Sequence, residues 1–395
     1  MSAHFKVRFA AAIASVDPAV WDACANPQAP AAAGERYNPF LSHAFLLALE
    51  DSKSVGPRVG WTPAHPLVED DAGRIVAVAP AYVKTHSLGE YVFDQGWAQA
   101  YERAGGRYYP KVQVAVPFTP AGGRRLLVAA DAPFGARDAL IEGLRGLRKA
   151  AGASSLHVTF ATQSEGEALG DAGFLRRTGE QFHFFNEGYR DFDDFLAALA
   201  SRKRKAVKRE RRDALANGVE IDLLRGADIK PAHWDAFFEF YTDTGARKWG
   251  RPYLTRAFFD LVGAAMSERI LLVMARRGGR HIAGAINFIG DDALYGRNWG
   301  AIEDQPFLHF EVCYYQAIDY AIRNGLKRVE AGAQGEHKLA RGYRPVVTHS
   351  AHEFADPKLA AAVKEYLSRE REAVDEMIAD YETSLPFRQS GAADV

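Results

Sequence analysis

The feature that most constrains this chain is that it repeats itself. "DPAVWDACA" (Asp17 to Ala25) returns as "KPAHWDAFF" (Lys230 to Phe238), and "NPFLSHAFLLAL" (Asn38 to Leu49) returns at the same offset as "RPYLTRAFFDLV" (Arg251 to Val262). "GRIVAVAPAYVK" (Gly73 to Lys84) then matches "GRHIAGAINFIG" (Gly279 to Gly290), with the offset shortened as a loop-length difference would shorten it. A looser fourth pair is "AGFLRRTGEQFHFF" (Ala172 to Phe185) with "RGYRPVVTHSAHEF" (Arg341 to Phe354). Matches in constant order mean one folding unit written twice. The expected organisation is a first domain over 1–187, a charged helical connector over 188–214, a second domain over 215–355, and a C-terminal helix and tail over 356–395.

Each copy carries the same coarse order. The Pro-x-x-Trp-Asp-Ala segment starts a helix, with proline at an early position where its missing N–H is harmless. The next segment spaces apolar residues at helical period behind Ser42 or Thr255, either of which can cap. "RIVAVAPAYV" and "HIAGAINFIG" are β-rich, and "DDALYGRNW" returns from the second as a hairpin. A long helix follows in each copy, "GARDALIEGLRGLRKAAG" or "FLHFEVCYYQAIDYAIRNG", and then a strand, "SSLHVTF" or "KRVEAG". Helices first, then an antiparallel hairpin, a helix and a final strand make an α+β unit with a mixed, mostly antiparallel sheet flanked by helices.

Composition narrows the setting. A formal net charge of -1 with 25% charged and 48% hydrophobic residues gives no global pull toward nucleic acid or membrane, so any charged partner is met locally. Cys24 and Cys313 are too few and too far apart for a disulfide framework or a zinc site. No metal is therefore expected, and the thiols suit a reducing, cytoplasmic setting. No apolar run approaches the ~18 residues of a membrane span.

The element order, with glycine-aromatic steps at Gly173-Phe174 and Gly342-Tyr343, resembles the GNAT acyltransferase fold in tandem. The phrases "GEYVFDQGWAQAY", "YYPKVQVAVPFTP" and "GAQGEHKLARGY" resemble a bacterial branch of FemAB-like transferases described as related to peptidoglycan biosynthesis. The resemblance implies an N-acyltransferase that moves an acyl or aminoacyl group onto an amine of a small molecule, peptide or cell-wall precursor. The alternative is a non-catalytic module that binds a peptide or precursor on a degenerate tandem fold.

The densest chemistry lies in "EAGAQGEHKLARGYRP" (Glu330 to Pro345). Attack of an amine on an acyl carbonyl needs a base, oxyanion donors and an acid for the leaving group. Glu336 or His337 can be the base, Lys338 or Arg341 the positive charge, Tyr343 the proton donor, and Gln334 a substrate contact. The plainer reading makes Glu336, Lys338 and Arg341 a solvated ion-pair turn. Fem transferases have a lysine shortly before the glycine-aromatic step, and Lys338 lies two residues further from Gly342 than that pattern places it. In copy one the corresponding "TFATQSEGEALGDAGF" reads as a polar loop. Further substrate contacts are expected from Asp94, Trp97, Tyr101 and Lys111 in the first copy and from Trp249, Asn298 and Trp299 in the second, as an amphipathic lining.

Two stretches bear on the donor, which is either an aminoacyl-tRNA or an acyl-CoA. "TPAGGRR" (Thr119 to Arg125) is similar to the glycine loop with which GNAT units hold a pyrophosphate on backbone N–H groups, but a lone glycine pair with arginines reads first as a plain turn. In the second copy, Glu303, Asp304 and Pro306 precede the long helix, a poor setting for coenzyme A. The connector "SRKRKAVKRERR" (Ser201 to Arg212) carries eight cations and one acid. At ~100° per residue they surround the helix, so one face must stay wet. Either it is a solvated inter-domain helix, or Arg204, Lys205 and Lys208 meet phosphates of a nucleotide, a tRNA or a lipid carrier.

Overall fold

A computed structural model describes residues 4–27, 36–249, 252–333 and 335–388, without the side chains of 247–249. Two compact units result. The first comprises Met1–Gly179, Tyr253–Phe258 and Val347–Asp375, and the second Glu180–Pro252, Phe259–Val346 and Glu376–Val395. The architecture is α+β, as the element order requires, and the units are assembled across the repeat boundaries.

In the first unit, β1 (Lys6–Ala10), β3 (His65–Glu69), β4 (Ile75–Val78) and β7 (Leu127–Val128) form one antiparallel sheet in the order β1-β3-β4-β7. A second set runs β2 (Trp61–Pro63), β5 (Ala81–Lys84), β6 (Lys111–Val114), β8 (Ser155–Ala161) and β15 (Arg344–Phe354). The segment "RIVAVAPAYV" is therefore two strands in two sheets, broken at Pro80, which has no N–H for a ladder. Helix α1 (Pro18–Ala25) starts where Asp17 accepts from the N–H groups of Ala19 and Val20, and buried Trp21 donates its indole N–H to the Leu41 carbonyl at 2.8 Å. Ser42 caps α2 (His43–Asp51). Helix α3 (Gln95–Arg103) precedes β6, and α4 (Ala136–Ala150) lays Leu140, Leu144 and Leu147 on Val112, Val114, Leu156 and Val158. Helix α5 (Gln163–Asp171) stands where the sequence suggested a loop, because Thr162 and Glu165 form a capping box. The second copy's Tyr253–Phe258 belongs here: Tyr253 stacks on Phe118 with centroids 4.8 Å apart, and the Thr255 N–H bonds Ser54 Oγ.

The second unit orders its strands as β10 (Val219–Arg225), β11 (Ile270–Arg277), β12 (Arg280–Ile289), β13 (Ala293–Ala301), β14 (Arg328–Glu330) and β9 (Leu175–Phe185). Helices α6 (Phe192–Ala198) and α7 (Ser201–Ala214) precede β10, and α8 (Pro231–Trp249) and α9 (Arg256–Met266) precede β11. The expected long helix is present as α10 (Leu308–Phe310), a π-helical turn at Glu311–Tyr315 and α11 (Gln316–Arg323). The last described helix is α12 (Pro357–Thr383), which belongs to the first unit as far as Asp375. Each copy's terminal strand finishes in the other copy's unit. The end of β9 pairs with β14 (Val329 with Phe184, Glu330 with His183), and β15 pairs with β8 (His352 with His157).

Helix α8 sits hard against β13, where a Cβ on Gly300 would run into the Phe240 carbonyl. Gly300→Ala should therefore lower unfolding free energy by at least about 2 kcal/mol. Gly146 in α4 faces open space, and Gly146→Ala should raise stability by up to ~1 kcal/mol. Urea titration of both variants reads the two signs.

Candidate functional site

Gly335 (φ 114°) and Gly342 (φ 91°) bracket a 3-10 turn, Glu336–Arg341, in backbone that suits glycine. A Cβ on Gly342 would also stand 2.7 Å from the Phe195 ring. The tight winding splits the turn: Glu336 and His337 face outward, while Lys338, Leu339 and Arg341 are buried.

Lys338 is 1% exposed. Its Nζ donates to the carbonyls of Ala331 (2.9 Å) and Gly332 (3.1 Å), just beyond β14, and among the described residues no carboxylate pairs with it. Burial lowers its pKa to about 8, with nearby Cys313 opposing. Arg341 is committed elsewhere. It makes a two-pronged ion pair with Glu210 of α7 (3.0 and 3.1 Å), donates to the His337 carbonyl, and lies 3.4 Å over the Phe310 ring. The Tyr315 hydroxyl donates to the same Glu210. The turn is thus pinned to α7 and is not a freely solvated ion-pair loop.

His337 Nε2 meets the Tyr314 hydroxyl at 3.0 Å. Its ring joins a chain of aromatics: His309 is 5.0 Å from Trp299 and 5.3 Å from Tyr314, and Phe310 is 5.7 Å from His337. Tyr314 lies in the π-helical turn, and Phe307 just before α10 takes φ 61°, a left-handed conformation rare outside glycine. Such departures from regular helix concentrate at functional sites. Tyr343 is fully enclosed against Tyr314 and Phe184, and its hydroxyl has no partner among the described residues. Burial holds that phenol well above its ordinary pKa, so it can donate a hydrogen bond but parts with its proton poorly. Glu336 accepts from the Tyr381 hydroxyl at 2.8 Å.

On β13, Asn298 and Trp299 are half-buried, and only Trp299 reaches the aromatic chain, through His309. Gln334 and the Trp249 side chain lie outside the described residues. Sequence reading missed His309, Phe310, Tyr314 and Glu210, and also Glu330, whose buried Oε2 has no partner although Arg328 bonds its Oε1. The crowding in "FLHFEVCYY" was a visible signal for the first three.

The first unit holds a separate buried network. Lys84 and Lys111 stand directly opposite on β5 and β6, a like-charge pairing that Glu90 Oε1 bridges at 2.7 and 2.9 Å. Lys111 also donates to Asp94 Oδ2 (2.6 Å) and Ser87 Oγ (2.8 Å), so its three N–H groups are all used. Burial pulls the Lys84 ammonium down to about 7 against Glu90. Burial alone would lower Lys111 too, yet Asp94 and Glu90 carry it above the ordinary value. Despite burial, Lys111 holds Asp94 well below the usual carboxylate range. Tyr108 donates to Asp94 Oδ2 (2.8 Å), and His157 and His352 share a 2.7 Å contact between their Nδ1 atoms, both rings kept neutral by burial. Asp94 Oδ1 and His352 Nε2 have no partner among the described residues. Trp97 packs edge-on to His352 under Arg177, while Tyr101 turns away to bond Asp356.

The "TPAGGRR" turn is already occupied. The N–H groups of Arg125 and Leu126 donate to the buried Glu165 carboxylate at 2.7–2.9 Å, and the Arg125 guanidinium is spent on the carbonyls of Thr159, Arg124 and Ala121. An outside phosphate would have to displace an internal carboxylate, so the expected pyrophosphate loop is corrected to a self-filled anion site. On α7, Lys205 and Lys208 are exposed and Arg204 is half-buried. Among the described residues no group of His, Cys, Asp or Glu could hold a metal ion, and no helix is long and apolar enough to cross a membrane.

Duplicated α+β units of this kind define a tandem GNAT-type transferase fold. The profile of the FemAB-like family, described by peptidoglycan biosynthesis and recognition, matches residues 12–389, and the chain belongs to that family. Among solved structures, FemX superposes with a TM-score of 0.51 at 13% identity, over 81% of this chain and 94% of FemX. The C-terminal DUF2156 domain of an Agrobacterium fabrum protein gives 0.50 at 9% identity, over 82% and 90% of the two chains. A tandem GNAT protein from the clavulanic acid biosynthesis pathway gives 0.47 at 14% identity, over 90% and 99%. No curated protein matches the chain. It is a FemAB-like, peptidoglycan-related transferase by family.

Removing one partner of a buried ion pair costs about 3–5 kcal/mol. Glu90→Gln, which leaves Lys84 opposite Lys111, should lose stability on that scale. Adding Lys84→Met should recover part of the loss, read by urea unfolding of the single and double variants.

Proposed function

We propose that the chain transfers an acyl or aminoacyl group onto an amine of a peptide or cell-wall precursor, with the chemistry at the Glu336–Arg341 turn. The observation that carries this reading is the contrast between its buried lysines. Lys84 and Lys111 sit among carboxylates, as buried cations normally must, whereas Lys338 is equally buried with only two carbonyls for support. A buried ammonium without a counter-charge suits stabilisation of a negative charge that arises only during reaction.

In this reading the acceptor amine attacks the acyl carbonyl and Lys338 faces the developing oxyanion. A base takes the ammonium proton, and the tetrahedral intermediate collapses to the amide by breaking its bond to the donor, so that the tRNA hydroxyl or the coenzyme A thiol leaves and takes up that proton from the base. His337 can be that base through Nδ1 when its Nε2–H donates to the Tyr314 oxygen, which also fixes the ring. Glu336 is the other candidate base, and Tyr343 a buried hydrogen-bond donor. Arg341 acts through position, holding the turn on Glu210. Asn298, Trp299, Gln334 and Trp249 are proposed contacts of the acceptor; in the first unit Asp94 with its open Oδ1 and Trp97 are proposed contacts of a ligand in their own right, with Lys111 and Tyr101 acting only through position, held on Asp94 and Asp356. The donor is an aminoacyl-tRNA or an acyl-CoA. The family's described range also includes recognition, which leaves binding of a precursor without turnover as the second reading.

The test combines the protein with mixed aminoacyl-tRNAs or acyl-CoAs and a peptidoglycan-type peptide bearing an amine, with product followed by mass spectrometry. If charged Lys338 is required, transfer falls as pH rises through about 8, where the ammonium is lost. Lys338→Met should reduce transfer on the order of 100-fold or more and abolish that alkaline limb. Peptide binding without any transfer would instead establish the recognition reading.

A further inference from the structure

Helix α7 has two differently spent faces. Val207, Glu210, Arg211 and Ala214 turn inward: Val207 and Ala214 are buried, Glu210 pairs with Arg341, and Arg211 pairs with Glu311 at 3.0 Å. The eight cations surround the helix, but the fully exposed ones, Arg202, Lys205, Lys208, Arg209 and Arg212, lie on one side of it. At ~100° per residue these fall within roughly a third of the circumference. They form a single straight stripe with no acidic residue inside it.

Internal partners leave most of the stripe uncompensated. Lys208 lies a loose 3.6 Å from Asp193 with both side chains in solvent, and Arg212 pairs with Asp213 at 2.8 Å. Arg202, Lys205 and Arg209 make no ion pair among the described residues. The helix runs out at Leu215, an exposed apolar side chain (38%), followed by the exposed turn Ala216–Gly218.

We propose that this face of α7 docks on the surface of a bilayer containing anionic lipids. A convex helix with parallel cations and a leucine at its end fits a plane of phosphates with hydrocarbon beneath. Polybasic clusters of this size bind such surfaces by summing small, salt-sensitive contributions. Nucleic acid fits less well. Single strands are held by aromatic platforms, of which the stripe has none. Duplex RNA offers a major groove too deep and narrow for a helix. The inference is independent of the transfer chemistry proposed above.

The full-length protein is sedimented with phosphatidylcholine vesicles carrying about a third phosphatidylglycerol, and with pure phosphatidylcholine vesicles, at salt from roughly 0.05 to 0.5 M. Binding is expected to the anionic vesicles alone and to fade at high salt. Arg202→Gln/Lys205→Gln/Arg209→Gln should weaken it on the order of 100-fold. The three side chains are exposed and make no ion pair among the described residues, so melting temperature should be unchanged; Leu215→Ser is a second, independent variant that should weaken binding less. Equal binding to neutral vesicles, or undiminished binding by the triple variant, overturns the proposal. So does a triple variant that loses affinity for a tRNA mixture while vesicle binding is untouched.

Discussion

The second unit depends on a short pairing between β14 and a strand that belongs, by sequence, to the first copy. β14 makes only three register pairs with β9, Arg328 with Phe185, Val329 with Phe184 and Glu330 with His183. On its other side it runs parallel to β13, an arrangement that needs a crossover and cannot be closed by a hairpin. With β9 alongside, the backbone just past Glu330 is held at the carbonyls of Ala331 and Gly332, which support Lys338. The candidate site therefore follows a strand whose neighbour on one side, β9, comes from the distant first copy. Either half alone would expose an unpaired edge.

Burial decides what each charged group can do. In the first unit, two lysines face each other across a strand pair and are made tolerable by Glu90 and Asp94, with every Lys111 N–H satisfied. Such a closed network has little charge to offer a ligand, and its open acceptor is Asp94 Oδ1. In the second unit Lys338 has the same burial and none of the compensation. Equal burial with unequal partners therefore leaves Lys338 supported by two carbonyls where Lys84 and Lys111 have carboxylates.

Much of the fold was legible because it rests on local rules written twice. Asp17-Pro18 begins a helix, Trp21 fills its inner face, Gly135 and Gly152 bracket α4, and Arg280 to Ala301 pairs as a hairpin. Errors arose where a local signal was outweighed or passed over. Pro80 splits an apparently continuous strand, and the Thr162 to Glu165 capping box makes a helix of a stretch read as a loop. Glycines in "TPAGGRR" suggested an anion site correctly in kind, but Glu165, forty residues on, supplies the anion. In the candidate site the dense Glu336 to Arg341 run folds into one short turn bracketed by Gly335 and Gly342. Which side chains are sealed and which face outward depends on the 3-10 winding and on the π-helical turn at Glu311–Tyr315, neither of which has a period visible in sequence.

Helix α7 shows why charge runs resist reading by composition. Eight cations in twelve residues look like one object. Folding divides them by the position of a single acid: Glu210 on the inner side receives Arg341 and the Tyr315 hydroxyl, while Arg211 reaches past it to Glu311. The same helix therefore anchors the catalytic-candidate turn on one side and presents an uncompensated stripe on the other. Anything that engages the stripe bears on a rigid element hydrogen-bonded to the turn carrying His337 and Lys338. The Glu210 to Arg341 clamp has two charge-assisted bonds and little exposure to water, so it is the strongest direct tie between α7 and the turn.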